Sequence, residues 1–221
     1  MLLIKLRYIS LIISLILFGS CASIDTNKVA PGYVEAFTAI KNLITGVENA
    51  IQPDVIEKIP YASILVKIGK GPEALMILEN INNEDYLWVS ADGVYLITNN
   101  GKIIQTYGLI NNLKEKLSPS LNWEEDIYEN KEFISYNSYN PPALNNLKVI
   151  SKYTYKGKEN TELMFSNKNL NLIEEKISSN EIGWSETNFY WVDENNFVWK
   201  SIQNISPKLP EIYIEVTKKP R

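Results

Sequence analysis

The sequence predicts a mainly β fold: an antiparallel sandwich or barrel-like body from two β units, with one N-terminal amphipathic helix. Short segments with apolar residues at every second position recur from Tyr61 to Val216. Turn residues separate them, among them Asn100-Gly101. Asn-Gly between apolar runs is a strong hairpin signal because both residues tolerate positive φ. Helical spacing is seen before these segments, in Val34, Phe37, Ile40, Ile44 and Val47.

The N-terminal segment has the three-part plan of a secretory signal peptide. Lys5 and Arg7 form a basic start, residues 8–18 are apolar apart from two serines, and Gly19-Ser20 leads into Cys21. The apolar run is about half the ~20 residues that a helix needs to cross a bilayer, which disfavours a transmembrane anchor. A plain secretory signal with an incidental cysteine stays open as the alternative.

The residues around the cut resemble the lipobox of bacterial lipoproteins, here Leu17-Phe18-Gly19-Ser20-Cys21. The resemblance implies that Cys21 becomes the first mature residue and carries a diacylglycerol thioether and an amide-linked acyl chain. Two or three acyl chains hold a protein on a membrane essentially permanently, because each buried CH₂ contributes ~0.8 kcal/mol. Since Ala22 follows instead of aspartate, the resemblance implies the outer membrane of a Gram-negative bacterium.

We therefore expect a signal peptide in residues 1–20, a lipidated tether in 21–32 and a single β-rich domain in 33–221. The amphipathic helix is predicted over residues 33–48. Its polar face lacks the basic residues of interfacial helices, so the pattern favours a helix that caps the main fold over one that lies on the membrane.

The predicted strands form two blocks. They are residues 61–68, 74–78, 86–89, 94–98 and 102–107, then 148–155, 161–165, 170–177, 187–192, 197–203 and 212–216. Residues 113–142, rich in Asn, Ser and Pro, are expected to form an irregular connection between the blocks, with at most a short helix or strand. Similar spacing in the blocks raises the hypothesis of a two-fold internal repeat, about 59–112 and 147–217.

Composition excludes several functional classes. The chain has no histidine, which removes Ser-His-Asp catalysis and histidine-ligated zinc. Without Lys5 and Arg7, 20 of the 22 basic residues remain against 26 acidic ones, and a net negative protein is poorly suited to nucleic acid. The one cysteine is assigned to lipid, so we expect stability from packing without disulfides. No cofactor or metal is predicted.

Three aromatic residues are candidate contacts for a glycan or a protein partner: Trp123, Tyr136 and Tyr139. They lie among Asn, Ser and Pro, and flat aromatic faces beside amides suit the C–H faces and hydroxyls of sugars. The alternative is that they fold back as a lid over the core. The tryptophans of predicted strands are instead expected in the core, because indoles bury a large area: Trp88, Trp191 and Trp199.

Several separated segments together resemble the YjbF/GfcB family of outer-membrane lipoproteins. They are residues 59–64, 87–92, 100–109 and 198–207, and the likeness extends from about 53 to 219 without 113–145. The resemblance implies a lipoprotein that faces the periplasm and assists assembly or export of an extracellular or capsular polysaccharide. Its implied partners are the membrane, through Cys21, and polysaccharide-secretion proteins or the polysaccharide itself. It supplies no catalytic residue to carry over.

Two alternatives to this non-catalytic function remain. One is a carboxylate-dependent, glycan-modifying enzyme using Glu124-Glu125-Asp126 and Glu174-Glu175, since glycosidases need two carboxylates ~5–10 Å apart. Acidic runs are usually solvated surface, so this hypothesis is the weaker one. The other is a purely structural envelope lipoprotein.

Overall fold

The computed structural model describes residue 51 and residues 53–119, 121–123 and 132–220. These residues lie within one compact unit, Thr38–Arg221. The predicted signal peptide, the tether with Cys21 and the helix at 33–48 lie outside the described residues and stay predictions. None of the helices in the described ranges has both the length and the apolar character needed to cross a membrane.

The described residues form one short helix, α1 (Pro53–Glu57), and twelve strands. The strands are β1 (Ser63–Ile68), β2 (Glu73–Asn82), β3 (Asp85–Ser90), β4 (Tyr95–Asn99), β5 (Lys102–Tyr107), β6 (Asn112–Leu117), β7 (Glu132–Asn140), β8 (Leu144–Leu163), β9 (Ser166–Ser179), β10 (Trp184–Val192), β11 (Val198–Gln203) and β12 (Ile212–Lys218).

All twelve strands belong to one antiparallel sheet, in the order β5-β4-β3-β2-β1-β12-β11-β10-β9-β8-β7-β6. The first and last strands of the chain, β1 and β12, are neighbours in the sheet, with Val66 of β1 opposite Ile214 of β12. The two ends of the order, β5 and β6, lie close together, and the Leu113 N–H donates to Thr106 Oγ1 at 2.9 Å. The sheet is therefore nearly closed and barrel-like, which protects its edges and confirms the predicted mainly β, antiparallel class.

The Asn100-Gly101 turn joins β4 to β5 as the sequence predicts. Both residues have positive φ, +48° and +77°. A Cβ added at Gly101 would clash with the side chain of Val198 in β11, and the Gly101 carbonyl accepts a hydrogen bond from Gln203 Nε2 at 2.9 Å. Glycine is required here by the φ angle and by the close approach of two chain segments.

The expectation of an irregular connection over residues 113–142 is wrong, because β6 and β7 occupy much of it. Ser135 and Asn137 of β7 are buried, at 4% exposure each. A strand that presents polar side chains to the interior lacks the alternation by which strands are recognised. The segments 148–155 and 161–165 are predicted as two separate strands. In the structure a single strand, β8, covers all of the first and most of the second and continues through a bulge between Tyr155 and Gly157.

The interior of the sheet contains both apolar and polar side chains. Trp88 is buried in the core as predicted, and Trp199 is half-buried. Trp191 is also buried but belongs to neither hydrophobic core cluster of the described residues, since its strand neighbour Tyr190 takes the inward face. Trp88 Nε1 donates to Thr98 Oγ1 at 2.9 Å, so this indole is satisfied inside the core. The buried polar side chains include Ser135, Asn137, Ser151, Glu175, Asn188, Ser201 and Gln203.

Candidate functional site

The site is built around Glu175, a fully buried carboxylate in the middle of β9. Successive side chains of a strand alternate between faces, so Glu175 shares the inward face with Ile173 and Ile177, which are both buried. Glu174 lies on the opposite face, where it pairs with Lys156 at 3.3 Å. The expectation that this acidic pair is solvated surface is therefore wrong for Glu175.

Each carboxylate oxygen of Glu175 accepts two hydrogen bonds. Oε1 accepts from Lys102 Nζ at 2.8 Å and from the Tyr153 hydroxyl at 2.7 Å. Oε2 accepts from the Tyr190 hydroxyl at 2.7 Å and from Asn188 Nδ2 at 2.9 Å. The donors come from β5, β8 and β10, so one side chain connects four strands across the interior.

The network keeps Glu175 charged and Tyr190 neutral. Burial alone would raise the pKa of Glu175, but the ammonium groups of Lys102 and Lys116, with hydrogen bonds from Lys102 and Tyr153, outweigh it and hold this pKa well below its usual range. Burial and then the Glu175 charge raise the pKa of Tyr190 well above 10. An ionised carboxylate with four donors is suited to holding strands together and poorly suited to general-acid catalysis.

A cavity of about 240 Å³ lies beside this network, and we call it the seam cavity because β5 and β6, the two ends of the sheet, both line it. Lys102 and Lys116 come from these two strands, Ser135 comes from β7, and Ser151 and Tyr153 come from β8. The seam cavity therefore has several hydrogen-bond donors in its wall.

Lys116 brings a second positive charge to the seam cavity, in addition to that of Lys102. The residue as a whole is half-buried, but burial of its ammonium, and then the nearby charge of Lys102, lower its pKa to about 8, while Glu175 acts in the opposite direction. Within the described part of the chain, no carboxylate lies at ion-pair distance from Lys116 Nζ. At neutral pH Lys116 is thus a mostly charged cation without an ion-pair partner among the residues that the structure describes.

Ser135 adds a hydroxyl without a partner. Its Oγ is buried and forms no hydrogen bond with any residue that the structure describes. Buried polar groups are usually hydrogen-bonded, so a hydroxyl that has no described partner, in the same cavity wall as the Lys116 ammonium, needs an explanation. Two polar groups in one cavity that both lack an acceptor are the pattern expected of an anion-binding site.

The three predicted contact aromatics are not brought together. Trp123 is 3% exposed and packs on Tyr190 with ring centroids 5.0 Å apart. Tyr139 is 2% exposed and donates to the Ile205 carbonyl at 2.9 Å. Tyr136 is 44% exposed on the outer face of β7. Trp123 and Tyr139 therefore agree with the alternative that they fold back on the core: core packing buries Trp123, and the alternation of β7 turns Tyr139 inward. A contact role for any of the three stays a prediction.

The sequence patterns do not identify Lys102, Lys116 and Ser135 as site residues. The bulge between Leu113 and Glu115 disturbs the alternation of β6, so simple two-residue spacing does not reveal that Lys116 faces inward. Glu175 could have been found from its position between Ile173 and Ile177. Residues 124–126, the other acids of the enzyme hypothesis, lie outside the described ranges. Among the described residues, no group of three or more potential metal ligands occurs.

Comparison with known proteins identifies relatives over most of the chain. A family model described as "Group 4 capsule polysaccharide lipoprotein gfcB, YjbF" matches residues 36–217. The uncharacterized lipoprotein GfcB of Escherichia coli strain K12 is 23% identical over 173 residues, which cover 72% of this chain and 76% of that protein. The crystal structure of the hypothetical lipoprotein YmcC from Escherichia coli K12 is 21% identical and superposes with a TM-score of 0.69, over 85% of this chain and 96% of that one. The latter likeness shows a shared fold.

Proposed function

Because the chain belongs to the family of group 4 capsule polysaccharide lipoproteins, we propose that it is a non-catalytic lipoprotein of the outer membrane that assists assembly or export of a capsular or other extracellular polysaccharide. The family match over residues 36–217 carries this proposal. The match spans β1 to β11 and nearly all of β12, so the whole described sheet is the family's domain.

The non-catalytic part of the proposal is supported by the chemistry of the chain. The sequence has no histidine, and Glu175 is saturated by four donors and kept ionised. Neither feature favours a glycan-modifying enzyme over a binding or assembly role. The partners are polysaccharide-secretion proteins or the polysaccharide itself, and the acidic mature chain gives no reason to add nucleic acid.

The proposed anchor is lipid on Cys21, which would hold the sheet at the periplasmic face of the outer membrane. Replacing Cys21 by serine should abolish palmitate labelling and leave an uncleaved or soluble protein. Normal signal cleavage with unchanged membrane fractionation of Cys21→Ser would refute the anchor without affecting the fold.

Of the three predicted contact aromatics, we propose Tyr136 as the residue that contacts a glycan or a protein partner at the surface. Tyr136 can meet a glycan or a partner without rearrangement, because 44% of it is exposed. Trp123 and Tyr139 could do so only if the core around them opened.

The direct test is a clean deletion of the gene in its native host. Surface polysaccharide should fall in the deletion strain and return when the wild-type chain is supplied from a plasmid. A deletion strain with the parent's amount of surface polysaccharide would show that the chain has no such role, and would favour a purely structural envelope lipoprotein.

A further inference from the structure

We propose that the seam cavity binds the carboxylate of one acidic sugar residue, with Lys116 as the counter-ion and Ser135 as a hydroxyl donor. The two residues lie on the neighbouring antiparallel strands β6 and β7, and their side chains point to the same face of the sheet. Lys116 is opposite Asn137 in the β6–β7 ladder, and Ser135 is two residues from Asn137 along β7. Directly opposite residues and residues two apart share a face, so both side chains point into the interior.

The need for an acceptor is the first argument. In the described part of the chain, Lys116 Nζ has no ion-pair partner and Ser135 Oγ has no hydrogen-bond partner. Burying a charge or a hydroxyl without a partner is unfavourable. One carboxylate accepts from both groups at once, since each of its oxygens has two lone pairs.

The charge balance of the cavity gives the second argument. The charged residues in its described lining are Lys102, Lys116 and Glu84. Lys102 is already neutralised by Glu175 at 2.8 Å, and Glu84 is exposed at the β2–β3 turn. Among the described lining residues, one positive charge inside the cavity is therefore left without an ion-pair partner. A carboxylate carries one negative charge, whereas a phosphate monoester carries about 1.5 to 2 at neutral pH.

The size and wall of the cavity give the third argument, and the choice of a sugar rests on the proposed function. The volume of about 240 Å³ is below the ~300–1,000 Å³ typical of pockets for drug-sized ligands, so the cavity suits one sugar ring better than a longer chain. Phe133 lines the wall and is half-buried, which offers an apolar face to the C–H groups of a ring.

The test measures binding to the purified full-length lipoprotein in detergent by titration calorimetry. The probes are D-glucuronate, neutral D-glucose and inorganic phosphate. Lys116→Met removes the charge, and Lys114→Met is the matched control because Lys114 is an exposed lysine of the same strand. We expect glucuronate to bind the wild type and Lys114→Met, glucose not to bind, and Lys116→Met to lose at least about tenfold in affinity for glucuronate.

Folding is checked separately for each variant. Lys116→Met should melt close to the wild type, because removing a buried ammonium and its repulsion with Lys102 offsets the lost attraction to Glu175. If it does not fold, Ser135→Ala takes its place and should weaken glucuronate binding several-fold.

Three results would overturn the proposal: no glucuronate binding to the wild type, equal glucuronate binding to Lys116→Met and the wild type, or binding of phosphate in preference to glucuronate. These failures are independent of the proposed function. A polysaccharide defect without glucuronate binding refutes the site alone, and glucuronate binding with normal polysaccharide refutes the cellular role alone.

Discussion

Lys102 and Glu175 are 73 residues apart in the chain, yet their Nζ and Oε1 atoms lie 2.8 Å apart inside the sheet. Lys102 begins β5, one of the two end strands, and Glu175 lies in the middle of β9. Both side chains are desolvated, at 12% and 0% exposure. A buried ion pair of this kind adds little net stability, but removing one partner leaves an uncompensated charge. The pair therefore connects the end strand β5 to β9 across the interior of the sheet.

Replacing Lys102 by methionine should destabilise the fold by ~3–5 kcal/mol, the usual cost of breaking a buried pair. Urea unfolding followed by tryptophan fluorescence measures the effect. Lys152→Met is the control, because Lys152 pairs with Glu132 at the surface, with both side chains more than half exposed; it should change stability by less than ~1 kcal/mol. Equal effects of the two substitutions would mean that the interior pair has no special structural role.

Acid should destabilise the wild type more than Glu175→Gln. The folded pKa of Glu175 is lowered from its ordinary value of 4.5, so the unfolded chain takes up this proton first as the pH falls. The stability that the ionised Glu175 carboxylate contributes is present above about pH 4.5 and is lost as the pH falls toward the lower folded pKa. Melting temperatures measured from pH 6 to about pH 2 should fall more steeply for the wild type. If the two melting curves ran parallel over this pH range, the charge of Glu175 would not contribute to the stability of the fold.

Gly101→Ala should destabilise the protein more than Gly93→Ala. Both glycines have positive φ, +77° and +81°, so both substitutions carry backbone strain on the order of 1 kcal/mol. Only at Gly101 does the new methyl group clash, with Val198, whereas nothing lies within 4 Å at Gly93. Overpacking adds ~1–3 kcal/mol. Thermal melts of the two variants that coincide would contradict the close packing of the Asn100-Gly101 turn against β11.

Trp123→Ala should cost ~3–5 kcal/mol of stability, as for a core aromatic, since Trp123 is 3% exposed and packs on Tyr153 and Tyr190. Tyr136→Ala should stay within ~0.5 kcal/mol because Tyr136 is 44% exposed. Denaturant melts measure both, and restoration of polysaccharide in a deletion strain tests whether Tyr136 is a contact. A Trp123→Ala protein as stable as the wild type would contradict the packing described here.

The sequence predicted the parts of the fold that follow local rules. The apolar alternation identified β1 to β5 and β9 to β12, and the Asn100-Gly101 signal identified the β4–β5 hairpin. Apolar alternation did not identify β7, because its inward residues include the polar Ser135 and Asn137 and the strand therefore lacks apolar residues at every second position. The ion pair could not be predicted, since local patterns do not show which residue meets Glu175 from a strand 73 positions away.

The distribution of polysaccharide between the cell surface and the cell interior tests the proposed function most directly. In a strain lacking this gene, assistance of export predicts that capsular polysaccharide decreases at the surface while polymer is retained within the envelope or cytoplasm, and that the plasmid-borne wild-type chain reverses both changes. Surface and internal amounts that match the parent strain would contradict the account.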